Sequence, residues 1–269
     1  MKLACLQLAI EGAEVTGNVA RAEQRVREAA ADGADLVVLP ELFDVGYFAF
    51  DSYARAAQSL AGPRLERLAG VAADEGVNLL AGTIVEDLAA SAADGIDVPA
   101  EDGLANAAVL FDREGERRLT FRKHHLFGYG SEETERMVPG ETVPVVELDG
   151  IGVGVTTCYD LRFPELYRRL AEQGAELVLV PSAWPYPRVE HWRTLGRARA
   201  IENLAYVATV NGSGSFGDDA LCGRTTVYDP WGTTLASSGE EPTTVTATVD
   251  PERLAGVREE FPALRDRRL

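Results

Sequence analysis

The chain has 269 residues, 46% of them hydrophobic, and a formal net charge of −17 at pH 7 that gives a pI near 4.6. A field of that sign repels nucleic acid and anionic membranes, so neither is an expected partner. No apolar run approaches the roughly 20 residues needed to cross a bilayer, and Glu11 and Glu14 interrupt the apolar stretch 3–10 too early for a secretory leader; the expectation is a cytoplasmic protein. So many carboxylates also fit a high-salt cytoplasm, with an ordinary acidic protein as the alternative.

In chain order, short β-branched runs alternate with amphipathic helical patterns, the arrangement of an α/β layered domain. Residues 2–10 read as a strand, and 18–31 as a helix with Val19, Ala22, Val26 and Ala29 on one face. A buried strand over 35–40 ends at Pro40. A helix over 60–75 closes on Gly76 as its C-cap, and 77–85 form the next strand. The acidic, alanine-rich segment 86–103 is aperiodic and reads as a solvated surface insertion.

Regular structure resumes with a hairpin, 104–111 and 117–122 around the turn at Arg113-Glu-Gly115. A second hairpin, 143–148 and 151–157, turns at Asp149-Gly150. A helix over 164–173, a strand over 176–181, a helix over 189–203 and strands over 205–210, 224–228 and 243–249 complete the chain. No repeat of fixed period is present, and one domain over 1–269 accounts for all of it.

Cys5, Cys158 and Cys222 are too few and scattered for a disulfide framework, and none has CxxC spacing; reduced thiols and no metal centre are expected. Cys158 follows the apolar strand and precedes a turn after which Pro164 opens a helix, where its missing N–H needs no partner. A sulfur on such a strand-to-helix turn lies near free backbone N–H groups that favour a thiolate or an oxyanion. Cys5 and Cys222 read as structural thiols.

Thiol attack on an amide needs a base near the sulfur and positive charge where the carbonyl oxygen becomes negative. Glu41, just past the buried strand 35–40, and Lys123, at the end of Leu-Thr-Phe-Arg-Lys, supply those groups from strand ends. Lys2 and Lys123 are the only lysines, so Lys123 stands where arginine is the habitual choice, and the two side chains are not interchangeable. The three histidines, His124, His125 and His191, raise a cysteine–histidine hydrolase as the rival, but no local signature of such enzymes surrounds Cys158.

Three strings carry a family resemblance: Leu39-Pro-Glu-Leu-Phe43, Arg122-Lys-His-His-Leu-Phe127 and Cys158-Tyr-Asp-Leu-Arg-Phe-Pro-Glu-Leu166. In that order they resemble the signatures around the Glu-Lys-Cys triad of the nitrilase, or carbon–nitrogen hydrolase, superfamily. Ala198-Arg-Ala-Ile-Glu-Asn203 and Tyr228-Asp-Pro-Trp-Gly232 are similar to its C-terminal half. The resemblance implies a four-layer αββα sandwich, homodimers or larger assemblies, and no metal or organic cofactor. It also implies a second glutamate between the lysine and cysteine segments. Spacing back from Gly140 makes that Glu133, with Glu132 and Glu135 as alternatives.

The implied chemistry is amide hydrolysis: Glu41 as base, Cys158 as nucleophile, and Lys123 with the Tyr159 N–H on the oxyanion, with ammonia released as a thioester forms and water activated by Glu41 then hydrolysing the thioester. Cys-Tyr-Asp at 158–160, where true nitrilases typically have Cys-Trp-Glu, favours an amide over a nitrile. The run Pro181-Ser-Ala-Trp-Pro-Tyr-Pro-Arg-Val-Glu-His-Trp192 resembles the omega-amidase branch, which acts on 2-oxo dicarboxylate monoamides such as 2-oxoglutaramate. Arg162 or Arg188 would clamp the substrate carboxylate, though an ion pair between Arg162 and Glu165 is the plainer alternative. Trp184 and Trp192 are candidate pocket walls. An N-carbamoyl amino acid amidohydrolase, an aliphatic amidase or nitrilase, and an inactive scaffold of the same fold are the other readings.

Overall fold

The computed structural model describes residues 1–129 and 131–268. The N-terminal half runs β1 (Lys2–Gln7), α1 (Val15–Ala31), β2 (Leu36–Val38), α2 (Tyr53–Ala56), α3 (Pro63–Glu75), β3 (Asn78–Asp87), α4 (Leu88–Ala93), β4 (Leu104–Phe111) and β5 (Arg117–Arg122). The C-terminal half continues with α5 (Glu133–Arg136), β6 (Val145–Leu148), β7 (Ile151–Val155), α6 (Pro164–Glu172), β8 (Leu177–Ser182), α7 (Val189–Asn203) and β9 (Tyr206–Asn211). It ends with β10 (Ser215–Phe216), β11 (Asp219–Ala220), β12 (Thr226–Tyr228), β13 (Thr234–Ser237), β14 (Thr243–Thr248) and α8 (Pro251–Glu260).

Two six-stranded sheets result, β14-β1-β2-β3-β4-β5 and β13-β12-β9-β8-β7-β6. Each has parallel strands at its centre, β1-β2-β3 and β7-β8-β9, with antiparallel pairs outside them. The two-residue side-chain period sorts each strand. Leu3, Cys5, Leu36, Val38 and Leu80 turn to the core shared with the second sheet, whereas Ala4, Leu6, Val37, Leu79 and Ala81 turn outward. The outward set is covered by α1 through Val19, Ala22, Val26 and Ala29, and by α3 through Leu65, Leu68, Val71 and Ala72. The second sheet is covered by α6 through Leu166, Tyr167 and Leu170, and by α7 through Trp192 and Ala200. The layers are therefore helix, sheet, sheet, helix, the αββα sandwich expected. Each large apolar side chain moved from water into these layers stabilises the fold by about 1.5–3 kcal/mol.

Several boundaries differ from expectation. The first helix begins at Val15, and Asn18 is buried, donating to the Glu11 carbonyl at 2.7 Å and the Asp44 carbonyl at 2.8 Å. The segment 86–103 is not a wholly solvated insertion. Glu86 is fully buried against Arg122, at 2.5 and 2.7 Å, and Asp87 caps α4 by accepting the Ala90 N–H at 3.0 Å. Short β10, β11 and exposed β13 gave no periodic signal, and α8 buries only Leu254 and Val257. Gly76 is the left-handed C-cap of α3, as its position predicted.

Candidate active site

The C-terminal ends of central strands in an α/β sheet are where side chains gather for chemistry, and here β2 and β8 meet end to end across the sandwich. The Glu41 N–H reaches the Ser182 carbonyl at 3.4 Å, and the Ala183 N–H reaches Glu41 Oε2 at 2.8 Å. Glu41 sits in a tight loop whose next residue, Leu42, has φ +43°. That loop lies so close to β3 that a Cβ on Gly82 would stand 2.0 Å from the Pro40 carbonyl oxygen, so only glycine fits there. Lys123 follows β5 directly. Cys158 opens a 3₁₀ turn, Cys158–Arg162, beyond β7, and holds φ +45°, an unfavourable angle for a residue with a side chain. Glu133 is the first residue of α5.

These elements bring Glu41, Lys123 and Glu133 together with essentially no solvent exposure, and Cys158 at 7%. Lys123 Nζ is 2.9 Å from Glu41 Oε1 and 2.9 and 2.8 Å from the two Glu133 oxygens. Glu133 also accepts the Phe127 N–H at 2.8 Å, the Tyr47 hydroxyl at 3.2 Å and the Asn106 amide at 3.0 Å. Asn106 donates in addition to Glu41 Oε1 at 2.8 Å. Glu132 instead pairs with exposed Arg136, and Glu135 lies on the surface, so Glu133 is the acid that reaches the lysine.

The electrostatics follow from burial. Burial raises the Glu41 carboxyl above its ordinary value, opposed by Lys123 and reinforced by Glu133. Lys123 is held well above the usual lysine range, because Glu133 and Glu41 outweigh the burial that disfavours its charge. Burial and then the Glu41 charge push the Cys158 thiol up, with Lys123 and the Ala183 N–H pulling the other way. Cys5 is sealed in the core between the sheets, and burial raises the Cys222 thiol to about 11.

The turn that carries Cys158 is anchored from both sides. Buried Asp160 accepts the Thr157 N–H at 3.0 Å and the His125 N–H at 2.9 Å, and its Oδ1 lies 2.7 Å from His125 Nδ1, tying this turn to the chain just past Lys123. Arg199 of α7 donates to the Leu161 carbonyl at 3.0 and 2.8 Å. The histidines do other work. His125 stacks on Phe163, His124 stacks on Phe121, and His191 Nδ1 lies 3.3 Å from the Arg162 guanidinium. The largest charges acting on the Cys158 sulfur are those of Glu41 and Lys123.

Above Cys158 the pocket is lined by Tyr159, Arg162, Trp184 and Arg188, together with Tyr47 and Phe127, so all four residues expected at the substrate stand around the sulfur. Arg162 lies 4.8 Å over the Trp184 ring and 5.7 Å over Tyr159; Arg188 lies 5.4 Å over Phe127. Among the described residues no carboxylate pairs with either guanidinium, Glu165 included. Trp192 is not a pocket wall. It is buried behind Trp184, ring centroids 5.4 Å apart, and donates to the Arg224 carbonyl. Asn211 fixes Trp184 by accepting its N–H at 2.7 Å and donating to its carbonyl at 3.1 Å.

Tyr47, Asn106 and Asp160 were not singled out from the sequence. Asn106 left a signal, a lone amide within the apolar run of β4. Among the described residues no group of His, Cys, Asp and Glu is arranged to hold a metal ion, and no helix is long and apolar enough to cross a membrane.

The profile of the carbon–nitrogen hydrolase family matches residues 2–259. The chain is 39% identical to the 2-oxoglutaramate amidase of Paenarthrobacter nicotinovorans over 87% of this chain and 79% of that protein. It is 34% identical to the 2-oxoglutaramate amidase of Bacillus subtilis (strain 168), over 98% and 96%. Among solved structures, a mutant amidase from Nesterenkonia sp. AN1 carries the acetamide moiety of fluoroacetamide on its active-site cysteine. It superposes with a TM-score of 0.84 at 30% identity, covering 100% of this chain and 94% of that one. On its sequence, its fold and its convergent Glu41, Lys123 and Cys158, the chain belongs to the carbon–nitrogen hydrolase family.

Proposed function

We propose that the chain, acting as one unit over 1–269, hydrolyses the omega-amide of a 2-oxo dicarboxylic acid such as 2-oxoglutaramate. Cys158 is the nucleophile, Glu41 the base, Lys123 the oxyanion partner and Glu133 a positioning residue. The observation that carries the division of labour is how the two carboxylates are occupied. Glu133 takes two donors on Oε1 and three on Oε2; Glu41 takes Lys123 and Asn106 on Oε1 but only the Ala183 N–H on Oε2. A carboxylate oxygen accepts about two hydrogen bonds well, so Glu41 Oε2 retains room for a proton.

In the proposed reaction Glu41 Oε2 takes the thiol proton as sulfur bonds to the amide carbon. The resulting oxyanion is met by Lys123 and the Tyr159 N–H, which lies in the first positions of its turn where the turn offers it no acceptor. The C–N bond then breaks, the proton passes from Glu41 to the leaving nitrogen, and ammonia departs from a thioester. Water gives a proton to Glu41 as it attacks the thioester, and collapse frees the acid and restores the thiol.

Arg162 and Arg188 support a substrate with a carboxylate at its far end, since both guanidiniums stand at the pocket without an acidic partner. A carbamoyl amino acid also carries such a carboxylate; a simple aliphatic amide or nitrile does not. Ammonia release measured from 2-oxoglutaramate, a carbamoyl amino acid, an aliphatic amide and a nitrile separates these readings. The expected result is the highest kcat/KM on 2-oxoglutaramate. Turnover of the carbamoyl compound alone would remove the omega-amidase assignment.

A further inference from the structure

Asn106 stands in the middle of β4, fully buried, and meets three of the four residues placed in the reaction. Its amide nitrogen donates to Glu41 Oε1 at 2.8 Å and Glu133 Oε1 at 3.0 Å, and its main-chain carbonyl accepts the Lys123 N–H at 2.9 Å. Chemistry fixes which way the amide points. Turned over, Oδ1 would face two carboxylate oxygens, acceptor against acceptor. In the orientation present, Oδ1 is buried without a hydrogen-bond partner. A buried, unpaired amide oxygen costs stability that an apolar side chain in this apolar strand would not. The position therefore keeps its two donors at the expense of its acceptor.

We propose that Asn106 is a positioning residue for the thiol proton transfer: with Lys123 it occupies Glu41 Oε1, so that Oε2 alone faces the Cys158 proton, and it locks the spacing of the two carboxylates. It does not line the substrate pocket, so its effect belongs to the chemical step rather than to binding. The inference rests on Glu41 as the base.

The test measures kcat, KM and the pH dependence of kcat/KM for wild type, Asn106→Leu and Asn106→Asp. In the wild type, burial already places the acid limb above the ordinary carboxylate range, because Glu41 must be ionised to act and its protonation at low pH removes the base. Asn106→Leu removes a donor that favours the ionised form, so the acid limb moves to higher pH by about one unit. Its kcat falls about 10- to 100-fold, while KM stays within about twofold. Asn106→Asp keeps the shape but sets a third carboxylate beside Glu41, and moves the limb the same way or further. A folded, active variant with an unmoved acid limb overturns the proposal, as does a loss confined to KM. If neither variant folds, Asn106 is structural and the proposal fails. A wild type without amidase activity would instead sink the functional reading on which it rests.

Discussion

The floor and the mouth of the pocket are held by different physics. At the floor Glu41, Lys123, Glu133 and Asn106 are buried, and nearly every donor and acceptor among them is occupied. Buried charges are tolerable only on those terms, since one left unpaired costs several kcal/mol. At the mouth Tyr159, Arg162 and Arg188 are partly exposed, and the guanidiniums rest on aromatic faces instead of on acids. A nearly complete network holds still for chemistry, whereas unpaired guanidiniums have charge to offer a ligand.

The largest effect that would break this contrast is expected from Lys123→Met. It leaves two buried carboxylates facing each other, with a predicted loss of about 3–5 kcal/mol of stability and no detectable ammonia release. Denaturant unfolding and an ammonia assay check both, and a stable, active variant would show that the floor is not a charge-balanced unit. A smaller and more selective effect is expected at the mouth. Arg162→Met and Arg188→Met should each lower kcat/KM on 2-oxoglutaramate about tenfold, as expected for one lost charge-assisted hydrogen bond of ~1.5 kcal/mol. Activity on a simple aliphatic amide and the melting temperature should barely change. Equal losses on both amides would mean that the arginines act on packing rather than on a carboxylate.

The same contrast governs what could be read in advance. Glu41, Lys123 and Cys158 were legible because each lies just past a strand inside a distinctive string. Glu133 was reached by counting back from Gly140, and the structure gives that spacing a cause. The Gly140 N–H binds the Lys123 carbonyl at 2.9 Å, and a Cβ there would stand 2.1 Å from the Arg122 carbonyl oxygen, so this glycine is pinned beside the lysine. Asn106 was not legible as part of the site, because its bond to Glu41 spans 65 positions and depends on strand order, which local periodicity does not encode. Trp192 and Trp184 look alike in sequence, and only the packing of α7 decides that one faces the pocket and the other lies behind it. Segment 86–103 misled for a related reason, since its most acidic-looking start, Glu86, is neutralised by Arg122 from the neighbouring hairpin strand.

The central claim is that one of three buried or nearly buried thiols, Cys158, carries the acyl group. Rapid acid quenching of the enzyme during turnover of 2-oxoglutaramate, followed by peptide mass analysis, tests it directly. The account predicts an added mass equal to the substrate less ammonia, on the peptide containing Cys158, absent in Cys158→Ala together with all ammonia release. An adduct on Cys5 or Cys222, or continued turnover by Cys158→Ala, would contradict it.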